Sequence, residues 1–136
     1  KCVCSGTRTI REAKRACRKF ARLVQKQNVN VRMSMFKVQN IACSQSLNRT
    51  IDLAAIQNLY QNAASFEPEI FPGLILKISG LTFLISRTGN VIVTGGKRYS
   101  FMNSHFLEFQ TLLEAFCGSF SSPESTLDYV IPKSVI

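Results

Sequence analysis

Apolar residues recur at helical spacing in some stretches of the chain and alternate with polar ones in others, so the order of elements can be read from the pattern. Ile10, Ala13, Cys17, Phe20, Ala21 and Val24 mark one face of a helix from Ile10 to Gln27. Thr9, followed three residues later by Glu12, forms a capping box at its start. Met35 to Ser44 reads as a strand. Thr50 then caps a helix from Ile51 to Ala64 with Ile51, Ala55, Ile56, Leu59 and Ala63 facing inward. Two prolines and a glycine exclude regular structure from Phe66 to Gly73. Three strands follow at hairpin spacing, Leu74 to Ile78, Leu81 to Ser86 and Asn90 to Thr94, parted by Ser79-Gly80 and Thr88-Gly89. A phenylalanine-rich helix is expected from Asn103 to Phe116, ended by Gly118. Ser119 to Ile136 shows no period and is expected to be a loosely attached tail. The fold class implied is α+β, an antiparallel sheet with helices on one side.

An internal repeat runs through this order. Val3-Cys-Ser-Gly6, then a basic residue and a long helix, is matched by Ile92-Val-Thr-Gly95, then Lys97, Arg98 and a long helix, with the two glycines 89 residues apart. The repeat suggests a duplicated unit whose first copy is mostly missing, and a chain that is a piece of something longer. Alternation also divides the strands into two faces. Phe83, Ile85, Val91 and Val93 make a core face. Val3, Ser5, Val38, Asn40, Ala42, Leu84, Ser86, Ile92 and Thr94 make a second face that is uncharged and carries small hydrogen-bonding groups. A solvated antiparallel face is usually charged. This one suits a neutral to apolar surface, either the edges and floor of a nucleic-acid minor groove, a second packing layer or a subunit interface.

Charge adds an asymmetry to this picture. The 136-residue chain carries 17 Lys and Arg against 8 Asp and Glu, for a net charge of +9. Lys1 to Lys37 holds 11 basic residues and one acid, and the remainder is nearly balanced. Arg11, Lys14, Arg15, Arg18, Arg22 and Lys26 fall on the polar side of the first helix, a basic stripe suited to an anionic partner, nucleic acid or an acidic protein. The 5 cysteines form neither a C-x-x-C pair nor a disulfide framework, which fits a reducing intracellular compartment. One histidine, His105, with no Cys or His cluster beside it argues against zinc, and no cofactor is expected. No run approaches the roughly 18 apolar residues of a membrane span. A glycine-rich phosphate loop and a nucleophile paired with a base are both lacking, so the chain does not read as an enzyme.

Four motifs together are more specific. Arg18-Lys-Phe-Ala-Arg-Leu-Val-Gln-Lys26, Phe36-Lys-Val-Gln-Asn-Ile41, Glu67-Pro-Glu-Ile-Phe-Pro-Gly-Leu-Ile75 and Gly89-Asn-Val-Ile-Val-Thr-Gly95 resemble, in order and spacing, the TATA-box-binding protein family. The resemblance covers Lys1 to Phe116 and implies a saddle of two quasi-identical halves. Residues 1–30 would be the last strand and second helix of the first repeat, 31–118 the complete second repeat, and 119–136 a C-terminal tail. It implies promoter DNA on the concave sheet, a nuclear location and nucleation of a preinitiation complex. This family is itself the reference case for minor-groove kinking by inserted apolar wedges. By the resemblance, Asn40 matches the central groove asparagine, and Thr94 and Ser5 the threonines of the two related strands. Val3, Ala42, Leu84 and Ile92 match positions that press on sugars and base edges, Phe71 an intercalating wedge, and Lys77 and Lys97 phosphate contacts. Glu67 and Glu69 resemble acids that hold transcription factor IIB, and the helix with Arg11, Arg15, Arg18, Arg22 and Lys26 resembles the basic helix that other initiation factors and repressors use; IIA-like proteins are among the partners expected.

The departures mark a divergent relative. Ser86 stands where the family's second wedge phenylalanine would be, Ala42 replaces a valine and Lys77 an arginine. A serine cannot wedge a base step apart. A second reading therefore stands beside direct DNA binding: an interaction hub of the same fold, brought to promoters by partner proteins. With most of one repeat absent, the sheet is also expected to leave an open edge and to allow a dimer.

Overall fold

The structure is a computed structural model that describes residues 2–116 and, by their backbone, 128–135. The elements are β1 (Val3–Cys4), α1 (Ile10–Gln25), β2 (Lys37–Ser46), α2 (Leu53–Leu59), β3 (Ala64–Ser65), β4 (Leu74–Ile78), β5 (Leu81–Ile85), β6 (Asn90–Gly96), α3 (Tyr99–Glu114) and β7 (Asp128–Val135). All pairings are antiparallel, in the order β1-β7-β2-β6-β5-β4-β3. The α+β sheet expected from the alternation is present.

The meander from β4 to β6 forms because its turns are built for it. Ser79 and Gly80 both have positive φ, 52° and 75°, the conformation of a two-residue hairpin whose twist matches that of its strands. Gly89, at φ 86°, lies so close to the Arg49 backbone that a Cβ would collide with its carbonyl. This close approach ties the β5–β6 turn to the loop after β2, where Leu47 N–H donates to Gly89 O at 2.9 Å. One sheet face is buried. Ile41, Cys43, Leu74, Leu76, Phe83, Ile85, Val91 and Val93 meet Leu53 and Ile56 of α2 and Met102, Phe106, Phe109 and Leu113 of α3, with Phe83 and Phe109 rings 4.6 Å apart.

Several expectations are corrected. Asp52, not Thr50, caps α2, its Oδ1 accepting the N–H groups of Ala54 and Ala55 at 3.1 Å, and α2 ends five residues early because Ala64 turns into β3. Leu59 faces solvent. In α1, Phe20 is 54% exposed rather than inward; the strands packed against that helix are the two-residue β1 and β7. Helix α3 begins a turn earlier than expected, at Tyr99. Val38 packs against the core rather than sharing a face with Asn40, because a register shift in the β2–β7 ladder separates the two. The largest difference is β7. Residues 128–135 are a strand between β1 and β2, not part of a loose tail. Gly118 and residues 119–127 lie outside the described residues.

Candidate nucleic-acid interface

Residues directly opposite in an antiparallel ladder point to the same face, so the registers assemble the open face row by row. One row runs Lys77, Thr82, Thr94, Ala42 across β4, β5, β6 and β2. The next runs Ser65, Ile75, Leu84, Ile92, Ser44 from β3 to β2. Val3 lies opposite Val135, which in turn pairs with Lys37, so β1 joins this face through β7. Ser5 follows it by alternation. Lys77 and Lys37 stand towards the margins, and no acid lies on either row.

The centre is a fixed polar group. Between Ile41 and Ala42 the ladder to β6 shifts by one residue, leaving Gly95, at φ 101°, as a bulge. Its N–H turns to the Asn40 side chain and donates to Oδ1 at 2.7 Å, while Asn40 Nδ2 donates to Thr94 Oγ1 at 2.9 Å. A backbone donor fixes the amide orientation. One Nδ2 hydrogen and the Thr94 hydroxyl hydrogen remain for acceptors outside the protein.

At one corner Phe71, 37% exposed, lays its ring over Gly73, where an added Cβ would sit 2.7 Å from the ring and 2.8 Å from Ile85 O. This makes Gly73 necessary and sets Phe71 beside the end of β5. Ser86 is there too, but its hydroxyl is used internally: Oγ accepts the Asn90 N–H at 3.1 Å and lies 2.8 Å from Thr88 Oγ1. Ser86 thus closes the β5–β6 turn. Glu67 and Glu69 are exposed on the bend before β4, and the Glu67 carbonyl accepts the N–H groups of Ile70 and Phe71 at 2.9 Å. Ile70, 80% exposed, and Ile75 carry no mark in the sequence; Thr82 shares the second face with Leu84 and Ser86 by alternation, and cross-strand register sets it opposite Thr94 and Ile75 opposite Leu84.

Lys97 is exposed after the bulge. The structure does not bring Arg11, Arg15, Arg18, Arg22 and Lys26 to the open face: they are exposed on α1, which lies against β1 and β7. Cys17 of α1 is buried against Cys4, and this burial, followed by its contact with Cys4 and the nearness of Cys2, pushes its thiol up to about 11. Among the described residues no group of Cys, His, Asp and Glu is arranged to hold a metal ion.

Comparison with known proteins places the chain. Residues 35–116 match the family model described as transcription factor TFIID, or TATA-binding protein. The chain is 37% identical over 118 residues to TATA box-binding protein-like 2 of Rattus norvegicus, with 85% of this chain and 34% of that protein covered. It is 35% identical over 117 residues to TATA-box-binding protein 2 of Entamoeba histolytica, covering 85% of this chain and 55% of that protein. The fold is similar to that of Methanococcus jannaschii TBP, with a TM-score of 0.68 and 24% identity over 82% of this chain and 67% of that one. The chain thus spans between a third and a little over half the length of these two curated relatives.

Proposed function

The chain belongs to the TATA-box-binding protein family, and from that premise we propose that its open face binds the minor groove of promoter DNA and serves transcription initiation in the nucleus. The observation that carries this reading is the Asn40 amide, held by Gly95 and Thr94 with one donor hydrogen unused, on a face whose rows carry no acid. A·T pairs offer only acceptors in the minor groove, so a fixed outward donor flanked by Ala42, Leu84 and Ile92 suits them. The sugars meet the apolar positions, and Lys77 and Lys97 at the margins suit phosphates. The role is one of binding, and no step of covalent chemistry enters it.

A second reading is favoured by Ser86, whose hydroxyl is committed to its own turn and contributes no wedge. In that reading Glu67 and Glu69 hold a IIB-like factor, the α1 stripe holds a IIA-like factor, and the partners carry the chain to DNA. One pair of variants separates the two. Glu67→Arg with Glu69→Arg abolishes binding to a IIB-like protein and, if the open face binds DNA directly, leaves affinity for a TATA duplex nearly intact in a salt titration. A wild-type chain that does not distinguish TATA from scrambled duplex at any salt concentration overturns the direct-binding reading.

A further inference from the structure

Two arginines are brought to one cavity by neighbouring loops. Between the loop after β2 and the β5–β6 turn, Leu47 N–H donates to Gly89 O at 2.9 Å and Ile51 N–H to Arg87 O at 3.0 Å, so the backbones that carry Arg49 and Arg87 are joined at two points. Both residues line a cavity of about 900 Å³. Its apolar wall is Ile51 and Leu53 of the core together with Phe66 and Phe116, which pack against that core. The cavity therefore opens beside α2 and the end of α3, and not among the rows of the open face. Every described residue that lines it falls within 48–116, inside the second repeat, so it owes nothing to β1 or β7.

Neither guanidinium is neutralised from within. Among the described residues no carboxylate forms an ion pair with Arg49 or Arg87. Asp52 lines the same cavity, but its Oδ1 accepts the N–H groups of Ala54 and Ala55 at 3.1 Å and is engaged at the start of α2. Two like charges beside one cavity favour an anion, and the planar fork of a guanidinium matches a carboxylate. Phosphates alone would satisfy the arginines and leave Phe66 and Phe116 uncovered, whereas a purely apolar occupant would take two charges out of water without a partner. An occupant that carries both carboxylates and apolar side chains meets both demands.

We propose that this cavity docks an acidic peptide segment of a partner protein, with carboxylates on Arg49 and Arg87 and a Leu or Phe side chain against Ile51, Leu53, Phe66 and Phe116. Arginine beside an aromatic wall is the composition of interface positions that carry most binding energy. Such a partner is opposite in charge to one that Glu67 and Glu69 would hold. The inference goes beyond the reading of the open face and does not rest on it.

The test is fluorescence anisotropy of the full chain with a short fluorescein-labelled peptide in which Asp alternates with Phe and Leu. Wild type should bind it saturably and more weakly as salt rises, and the amide signals of Arg49, Ile51, Arg87 and Phe116 should shift during the titration. Arg49→Glu with Arg87→Glu should weaken binding about 10-fold or more. Arg87→Gln, a mild change on an exposed turn that decides the matter should the double variant unfold, should weaken it about 3-fold. Peptides with Lys in place of Asp, or with Ala in place of Phe and Leu, should not bind, and a TATA duplex should not displace the acidic peptide. No binding by wild type, unchanged affinity in the variants, shifts confined to other residues, or displacement by the duplex, which would give the arginines to phosphates, would each overturn the proposal.

Discussion

Helices α1 and α3 have the same length, 16 residues, follow equivalent strands in the repeat, and are held in opposite ways. Helix α3 has no side-chain cap and buries Met102, Phe106, Phe109 and Leu113 against a sheet of full-length strands. Helix α1 buries only Ala13 and Cys17, leaves Phe20 and Leu23 more than half exposed, and has Thr9 Oγ1 accepting the Glu12 N–H at 3.1 Å and Glu12 accepting the Arg8 N–H. One helix exists because of what lies under it, the other because of how it starts. Tertiary burial and local capping thus substitute for one another within a single duplicated fold.

The contrast is broken most directly in the core. Phe106→Ala should cost about 3–5 kcal/mol, whereas Phe20→Ala at the corresponding amphipathic surface of α1 should fall within about 0.5 kcal/mol, both read from urea midpoints. Equal losses would mean that α1 is buried as deeply as α3. Next in size, Thr9→Ala should cost about 1 kcal/mol and lower the helical circular dichroism, while Arg98→Ala at the start of α3 should change little, since that helix has no side-chain cap to lose. The smallest effect is a titration. The Cys17 thiol, raised to about 11 from an ordinary 9.0, is bound more tightly to its proton in the folded chain, so its stabilisation is complete below pH 9 and is lost as pH rises through about 11. The stability difference between wild type and Cys17→Ala should accordingly shrink between about pH 8 and about pH 10.5. A difference that stays constant with pH would remove Cys17 from the account.

What the sequence made legible follows the same division between local and distant causes. The pattern marks β4 to both ends and β5 to within one residue, because period-2 alternation and Ser79-Gly80 are local signals. The start of α3 has no local mark because Arg98 gives no capping signal, and the cap of α2 is ambiguous in sequence because Thr50 and Asp52, two residues apart, both qualify. Phe20 and Leu59 have helical spacing, but spacing cannot say whether anything lies opposite. β7 has no local mark, because its place depends on a slot made by β1 and β2, more than 80 residues earlier in the chain. At the interface, the motif residues can be named from their order and Thr82 from alternation, whereas Ile75 needs the register, and the bulge that frees Gly95 for Asn40 has no signature beyond the two glycines themselves.

The central claim is that a fixed amide donor on the open face reads acceptors in a minor groove, and Asn40→Asp tests it with the least disturbance. The carboxylate still accepts the Gly95 N–H, so the bulge is kept, but the outward donor is gone. Measured by fluorescence anisotropy at fixed salt, affinity for a TATA duplex should fall about 10- to 100-fold, with urea stability little changed. An Asn40→Asp chain that binds TATA DNA as tightly as wild type would contradict the account and put the DNA, if it binds at all, on another surface.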